Sequence, residues 1–332
     1  MSSSLNTPPA AVPYPDMAAG AGTAARARSI PRRASILAAI KTLIYQSLMF
    51  SVALLPTRLA YRLSCAIGRM RYRRRKNTAG RLTRAMQSKL AISAEEAGQW
   101  ARRYFELEAW DEVETWHCRW AGPDKINKLA ALEGLENLDC ALAGGKGAVL
   151  CTGHIRGLFV LMLALAQRGY KLHGIRRKPL GLQGPLGRWF NEQHTLMRHG
   201  ACSFLWMERD SLKTAVQAGG VLRRNEILLL LLDSRFSAQC VNANLLGGTV
   251  PIPSGTHIIA RTLGAPFVGL FIDLDDRGPL RHRIQFGKPY YPTSDIPASV
   301  QYSVAEMEKG IVSNPGTWLW FEAREIWDGH GD

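Results

Sequence analysis

Short apolar runs recur through the second half of the chain, each bounded by turn residues and separated from the next by a helical stretch. Gly147–Thr152 (GAVLCT), Glu226–Leu232 (EILLLLL) and Pro266–Ile272 (PFVGLFI) carry almost no polar side chain. A strand with one wet face alternates apolar and polar residues; a strand apolar throughout has both faces covered. Tyr170–Ile175, Ala201–Trp206 and His282–Phe286 complete the set of candidate strands. The segments Gly157–Gln167, Gly187–His199, Ser211–Arg224 and Ser254–Leu263 read as intervening helices, and Ser299–Val312 as a last one. This alternation predicts an α/β domain over residues 123–328, a mixed, mostly parallel sheet flanked by helices. The chain has no G-x-G-x-x-G opening a helix, no G-x-x-x-x-G-K-[ST] loop and no G-x-S-x-G elbow. Nucleotide enzymes and α/β-hydrolases are disfavoured accordingly.

The first third has a different texture. Residues 1–35 are rich in Ala, Pro, Ser and Gly and close on Arg26, Arg28, Arg32 and Arg33. Such a segment buries too little apolar area to offset its ordering entropy and reads as a flexible tail. Ile36–Leu55 then holds 15 apolar residues and one charge, Lys41, in 20 positions. A helix of that length covers about 30 Å, the thickness of a bilayer core. Residues 36–57 are therefore expected to form an N-terminal membrane-seeking anchor helix, spanning or lying in plane; the competing reading is a buried helix. Residues 58–122 form a basic and amphipathic helical region. Its MRYRRRKNTAGR stretch suits anionic headgroups or open solvent, and the capping box of Ser93 and Glu96 then opens an aromatic-rich helix.

The net charge of +15 belongs to one segment. Residues 17–94 contain sixteen Lys or Arg and no Asp or Glu, while residues 95–332 balance at 26 of each sign. A nucleic-acid-binding body spreads positive charge over its folded surface and interleaves it with aromatics. The expected partners are membrane lipids and not nucleic acid. The six cysteines are scattered, with no C-x-x-C pair and no His/Cys cluster at zinc spacing, so reduced thiols and no metal are expected.

In an open α/β sheet, ligands bind beyond the carboxyl ends of the strands. His154 follows GAVLCT by way of Gly153, and Asp233 follows EILLLLL. A neutral imidazole placed there can take a proton from an attacking hydroxyl. Taken alone, each residue is more often structural, Asp233 as a cap or turn residue. Arg176 and Arg177 end the next strand, where they either hold a phosphate or carboxylate or form a solvated pair.

Together these pieces resemble the lauroyl/myristoyl acyltransferases that complete lipid A, within the lysophospholipid-type acyltransferases, from about Ile36 to Trp327. The carriers are the membrane-seeking helix, the RRRKN segment with its aromatic helix, GAVLCTGH, GIRR, LLLLDSR, LLGGTVPIPSGTHIIARTLGAPFVGLFI and NPGTWLWFEAREIW, in that order. The resemblance implies a glycerolipid acyltransferase-like fold. It implies transfer of a fatty acyl chain from acyl carrier protein or acyl-CoA to a hydroxyl of a lipid A-type glycolipid or lysolipid. The setting it implies is the cytoplasmic side of the bacterial inner membrane, with no cofactor beyond the thioester donor. His154 and Asp233 would be catalytic, and Arg156, Arg176 and Arg177 would bind substrate. One departure stands out. The family follows its histidine with an acid five positions on, whereas this chain has Phe159 there and no Asp or Glu anywhere from 141 to 191. Arg156 also adds a positive charge that disfavours an imidazolium. Either a distant acid such as Asp233 or Glu192 replaces the partner, or the protein is a weakened or inactive member that binds lipid or acyl chain and supports another enzyme.

Overall fold

The computed structural model describes residues 44, 47–118, 121–177, 202–207, 211–234, 239–275 and 280–321. Residues 1–46 separate as a unit of their own, of which Ile44 alone is described. The tail expected at 1–35, most of the anchor expected at 36–57 and the helix expected at Gly187–His199 therefore lie outside the described residues. Residues 47–53 are helical, and Met49, Val52 and Ala53 are buried. Ala53 offers its carbonyl to His117 Nδ1 at 2.7 Å. Among the described residues no helix is long and apolar enough to cross a membrane.

All six strands expected from the apolar runs form, within a residue or two at most ends. They are β2 (Ala148–Thr152), β3 (Leu172–Arg177), β4 (Cys202–Met207), β5 (Ile227–Leu231), β8 (Phe267–Asp275) and β9 (Arg281–Phe286). With the short β1 (Ala130–Glu133) they make one seven-stranded sheet in the order β1-β9-β8-β2-β5-β3-β4. β8 and β9 run antiparallel as consecutive strands, and every other neighbouring pair is parallel. The fold is thus α/β, with a mixed, mostly parallel sheet flanked by helices. β2 and β5 sit at its centre, and every residue of β2 is buried. Burying each Leu or Val of such a strand is worth up to about 1.5–3 kcal/mol.

Two strand features escaped the sequence reading. β6 (Cys240–Leu245) and β7 (Gly248–Pro253) form an antiparallel hairpin apart from the main sheet. Pro251 and Pro253 argue against a central strand, but a two-stranded ribbon has an open edge on each strand, where proline is tolerated. Leu246 and Gly247 supply the turn with positive φ of 47° and 70°, as a two-residue hairpin loop requires. The other feature, β1, is only the four residues AALE, too short to stand out from the helix before it; Arg283 of β9 holds its Glu133 at 2.9 Å.

Three helices, Thr57–Arg74, Lys76–Leu90 and Ala94–Cys118, make up the basic region. Ser93 Oγ accepts the Glu96 N–H at 3.1 Å, which caps the longest of them. Two of the arginines are tied to acids of the same region. Arg69 pairs with Glu106 at 3.1 Å and Arg71 with Glu112 at 2.8 Å, so part of the charge locks the first helix onto the third.

The core contains one buried histidine whose titration is testable. His257 is fully buried, stacked on Phe267 with centroids 4.4 Å apart and bonded through Nε2 to Ser303 Oγ at 2.9 Å. Burial pushes its pKa down to about 4, against about 6.5 in an unfolded chain. Between those values the unfolded chain binds a proton that the folded chain does not, so stability falls as pH is lowered through that window. The loss from this residue approaches about 3 kcal/mol at the acid end. Urea titrations at a series of pH values should show a shallower acid slope for His257→Gln, and an unchanged slope would mean that the buried imidazole titrates normally.

Candidate active site

The register of the two central strands brings the site together. β2 and β5 are parallel neighbours with Thr152 opposite Leu231, and the Leu232 N–H continues the ladder to Thr152 O at 2.8 Å. Two residues further along each strand stand His154 and Asp233, at the same carboxyl edge. His154 Nδ1 lies 2.6 Å from Asp233 Oδ1, and the His154 backbone N–H donates to Asp233 Oδ2 at 2.8 Å. The carboxylate is buried, with 1% of its side chain exposed, whereas the imidazole keeps 27%. An Nδ1–H held by a carboxylate leaves the Nε2 lone pair available to take a proton.

A strap from the C-terminal region completes the arrangement. Trp318 Nε1 donates to Asp233 Oδ2 at 2.8 Å, a third hydrogen bond on this carboxylate. The strap also pairs with the backbone of the histidine turn: the Arg156 N–H donates to Thr317 O and the Leu319 N–H to His154 O, each at 3.0 Å. The Trp320 ring stands edge-on to the imidazole, centroids 5.1 Å apart. Space behind the turn is tight. A Cβ on Gly153 would lie 2.9 Å from Met307 Sδ and 3.0 Å from Asp233 Oδ2, so glycine lets the acid approach. Trp318→Phe removes one donor and leaves Asp233 Oδ2 with the His154 backbone N–H alone, at a cost of about 1–3 kcal/mol for a lost hydrogen bond to a buried charge. Expected are a lower melting temperature and about tenfold slower turnover with KM unchanged. A variant as fast as wild type would show that two hydrogen bonds suffice to hold Asp233.

The other sequence candidates fall in different places. Arg176 and Arg177 close β3, beyond β5, at the same carboxyl edge as His154 and Asp233. Arg156 is turned inward: 7% of its side chain is exposed, its Nη1 is 3.9 Å from Asp111 Oδ2 and its guanidinium carbon is 4.7 Å from the centre of the Tyr104 ring. Contact with a headgroup would require it to leave both. Phe159 packs on the core from the first turn of the Leu158–Ala166 helix. Glu192 lies outside the described residues. The pairing of Trp318 with Asp233 had no signal in the sequence beyond the Trp-Leu-Trp string, because the two residues are 85 apart.

Residues 30–325 match the family described as bacterial lipid A biosynthesis acyltransferases. The chain belongs to this family. Membership suggests acyltransferase activity on lipid A, and the matched range takes in all of the described residues. A comparison with curated proteins finds no match. For a lipid A acyltransferase the contents of the carboxyl edge are chemically apt: a base open on one side and, behind it, a buried acid that fixes its tautomer.

Proposed function

We propose that this protein transfers a fatty acyl chain from an acyl carrier protein or coenzyme A thioester to a hydroxyl of a lipid A-type glycolipid. The reaction would take place at the cytoplasmic face of the bacterial inner membrane, with residues 36–57 as the anchor. The observation that carries the reading is the 2.6 Å contact between His154 Nδ1 and Asp233 Oδ1. An enzyme of this kind needs an acid beside its histidine, and here Asp233 takes the part for which Phe159 is unsuited. His154 Nε2 removes the proton of the acceptor hydroxyl, whose oxygen attacks the thioester carbonyl. The new C–O bond forms, the C–S bond breaks, and the imidazolium returns its proton to the leaving thiolate. While the imidazolium exists, the Asp233 carboxylate stabilises it. Arg176 and Arg177 suit the phosphates of the acceptor headgroup. No cofactor enters these steps.

The test uses the full chain purified in detergent, a lipid A-type glycolipid with a free hydroxyl, and either acyl donor. Mass spectrometry should show one acyl chain added to the glycolipid. If neither donor supports transfer although the protein binds the glycolipid or acyl chain, the inactive lipid-binding role becomes the better account.

A further inference from the structure

Behind the turn His154–Gly157 lies a cavity of about 10 Å³ between the Ala94–Cys118 helix and β9. Its lining includes Trp110, Asp111, Glu114, Arg156, Gly157 and His282. Three of these residues have a buried nitrogen without a hydrogen-bond partner in the protein: Trp110 Nε1, Arg156 Nε and His282 Nδ1. All three side chains are more than nine-tenths buried. His282 Nε2 lies 2.7 Å from Glu114 Oε1. Burial alone would lower the pKa of His282, but the Glu114 carboxylate, with Asp111 and Asp273 nearby, raises it. The Glu114 carboxylate favours a proton on Nε2, and Nδ1 is a donor in the charged ring and an acceptor in the neutral one. Three unpartnered nitrogens, two of them fixed N–H donors, and the carboxylates of Asp111 and Glu114 thus border a space large enough for one water molecule. Water meets both needs, since it accepts from N–H groups and donates to carboxylates. A halide would face two carboxylates with nothing to offer them.

The cavity also touches the catalytic turn. Arg156 and Gly157 are two and three residues after His154, and a Cβ on Gly157 would lie 2.6 Å from His282 Nδ1, so the turn rests directly on this imidazole. Asp233 and Trp318 hold the turn at His154, and the cavity holds it at Arg156 and Gly157. We propose that the cavity is a single-water site, and that the bound water joins Arg156 and His282 into one unit that positions His154. Both are positioning residues, since neither touches the reacting atoms. The inference rests on the acyl-transfer reading for its kinetic consequence but not for its structural one.

The experiment uses the full-length protein in detergent, as wild type, His282→Gln and Arg156→Lys. Gln keeps a donor for Glu114 and loses the second nitrogen; Lys keeps the charge and loses Nε–H. A crystal structure of the wild type should show one water within hydrogen-bond distance of Arg156 Nε and His282 Nδ1. A bromide soak should give no anomalous peak there. In each variant kcat should fall about ten- to a hundredfold with KM for donor and glycolipid unchanged, the scale of a slightly misplaced catalytic group. The downfield proton NMR signal of the His154–Asp233 hydrogen bond, assigned by its loss in Asp233→Asn, should exchange faster with water. A dry cavity, a bromide peak, or variants in which both kcat and the NMR signal match wild type would each overturn the proposal. If the wild type transfers no acyl chain, the functional reading falls, while the crystal and NMR readouts still decide this one.

Discussion

His154→Ala is expected to reduce acyl transfer to the background rate. The substitution removes the only group in the described carboxyl-edge cluster that can accept a proton from the hydroxyl. Asp233 is sealed from the surface with 1% of its side chain exposed, and Arg156 is a cation. A positioned general base contributes about 10²–10⁴-fold. Loss of the imidazole also leaves Asp233 with no charge to stabilise in the transition state, so the expected fall is at least about 10³-fold. The fold should survive. The imidazole is partly exposed, and Asp233 keeps two donors in the variant, the backbone N–H of residue 154 and Trp318 Nε1. The measurement is complementation of a deletion strain, read by mass spectrometry as the acylation state of its glycolipids, with membrane levels of the variant checked alongside. Full complementation would refute the acyltransferase mechanism and favour a lipid-binding role.

What could be read from the sequence and what could not divides along a physical line. GAVLCT, EILLLLL and PFVGLFI announced themselves because a strand covered on both faces has no place for polar residues, and β2, β5 and β8 are buried as that composition demands. The positions of His154 and Asp233 just beyond such strands followed from the same pattern. Their pairing did not. It depends on β5 lying beside β2 with Thr152 opposite Leu231, a long-range register that local composition does not encode. That register selects Asp233 as the acid against His154. The basic segment shows the same limit from another side: a run of arginines without acids looks destined for headgroups or water, yet Arg69 and Arg71 find Glu106 and Glu112, 37 and 41 residues on. Hydrophobic pattern is local and legible; charge partners and strand order are set by tertiary packing. Glu114 and His282 make the point most sharply, since the buried contact between them spans 168 residues and neither belongs to any motif.

Asp233→Asn is the more discriminating substitution, because it changes little besides charge and proton direction. Asparagine has nearly the size of aspartate and can still accept from Trp318, so the variant should fold, at a cost of about 1–3 kcal/mol for imperfectly matched buried groups. Its amide has one acceptor oxygen, which at the Oδ2 position still serves the His154 backbone N–H and Trp318 Nε1–H but puts the NH2 at the Oδ1 position, opposite His154 Nδ1. When the amide NH2 turns toward the imidazole, Nδ1 must become the acceptor and the proton moves to Nε2. The lone pair then sits on the wrong nitrogen, and the imidazolium formed during the reaction has no counter-charge. In a serine-protease triad the equivalent change costs about 10⁴-fold, or about 5 kcal/mol of transition-state stabilisation. A loss of about 10³–10⁴-fold in kcat is expected here, with KM little changed because the Asp233 side chain is buried behind the imidazole. The assay is single-substrate kinetics of acyl transfer on purified wild type and variant, with thermal melts to show that both are folded. A well-folded Asp233→Asn enzyme within about tenfold of wild type would show that the carboxylate only anchors the turn, and the acid required by the Phe159 substitution would have to be sought elsewhere in the chain.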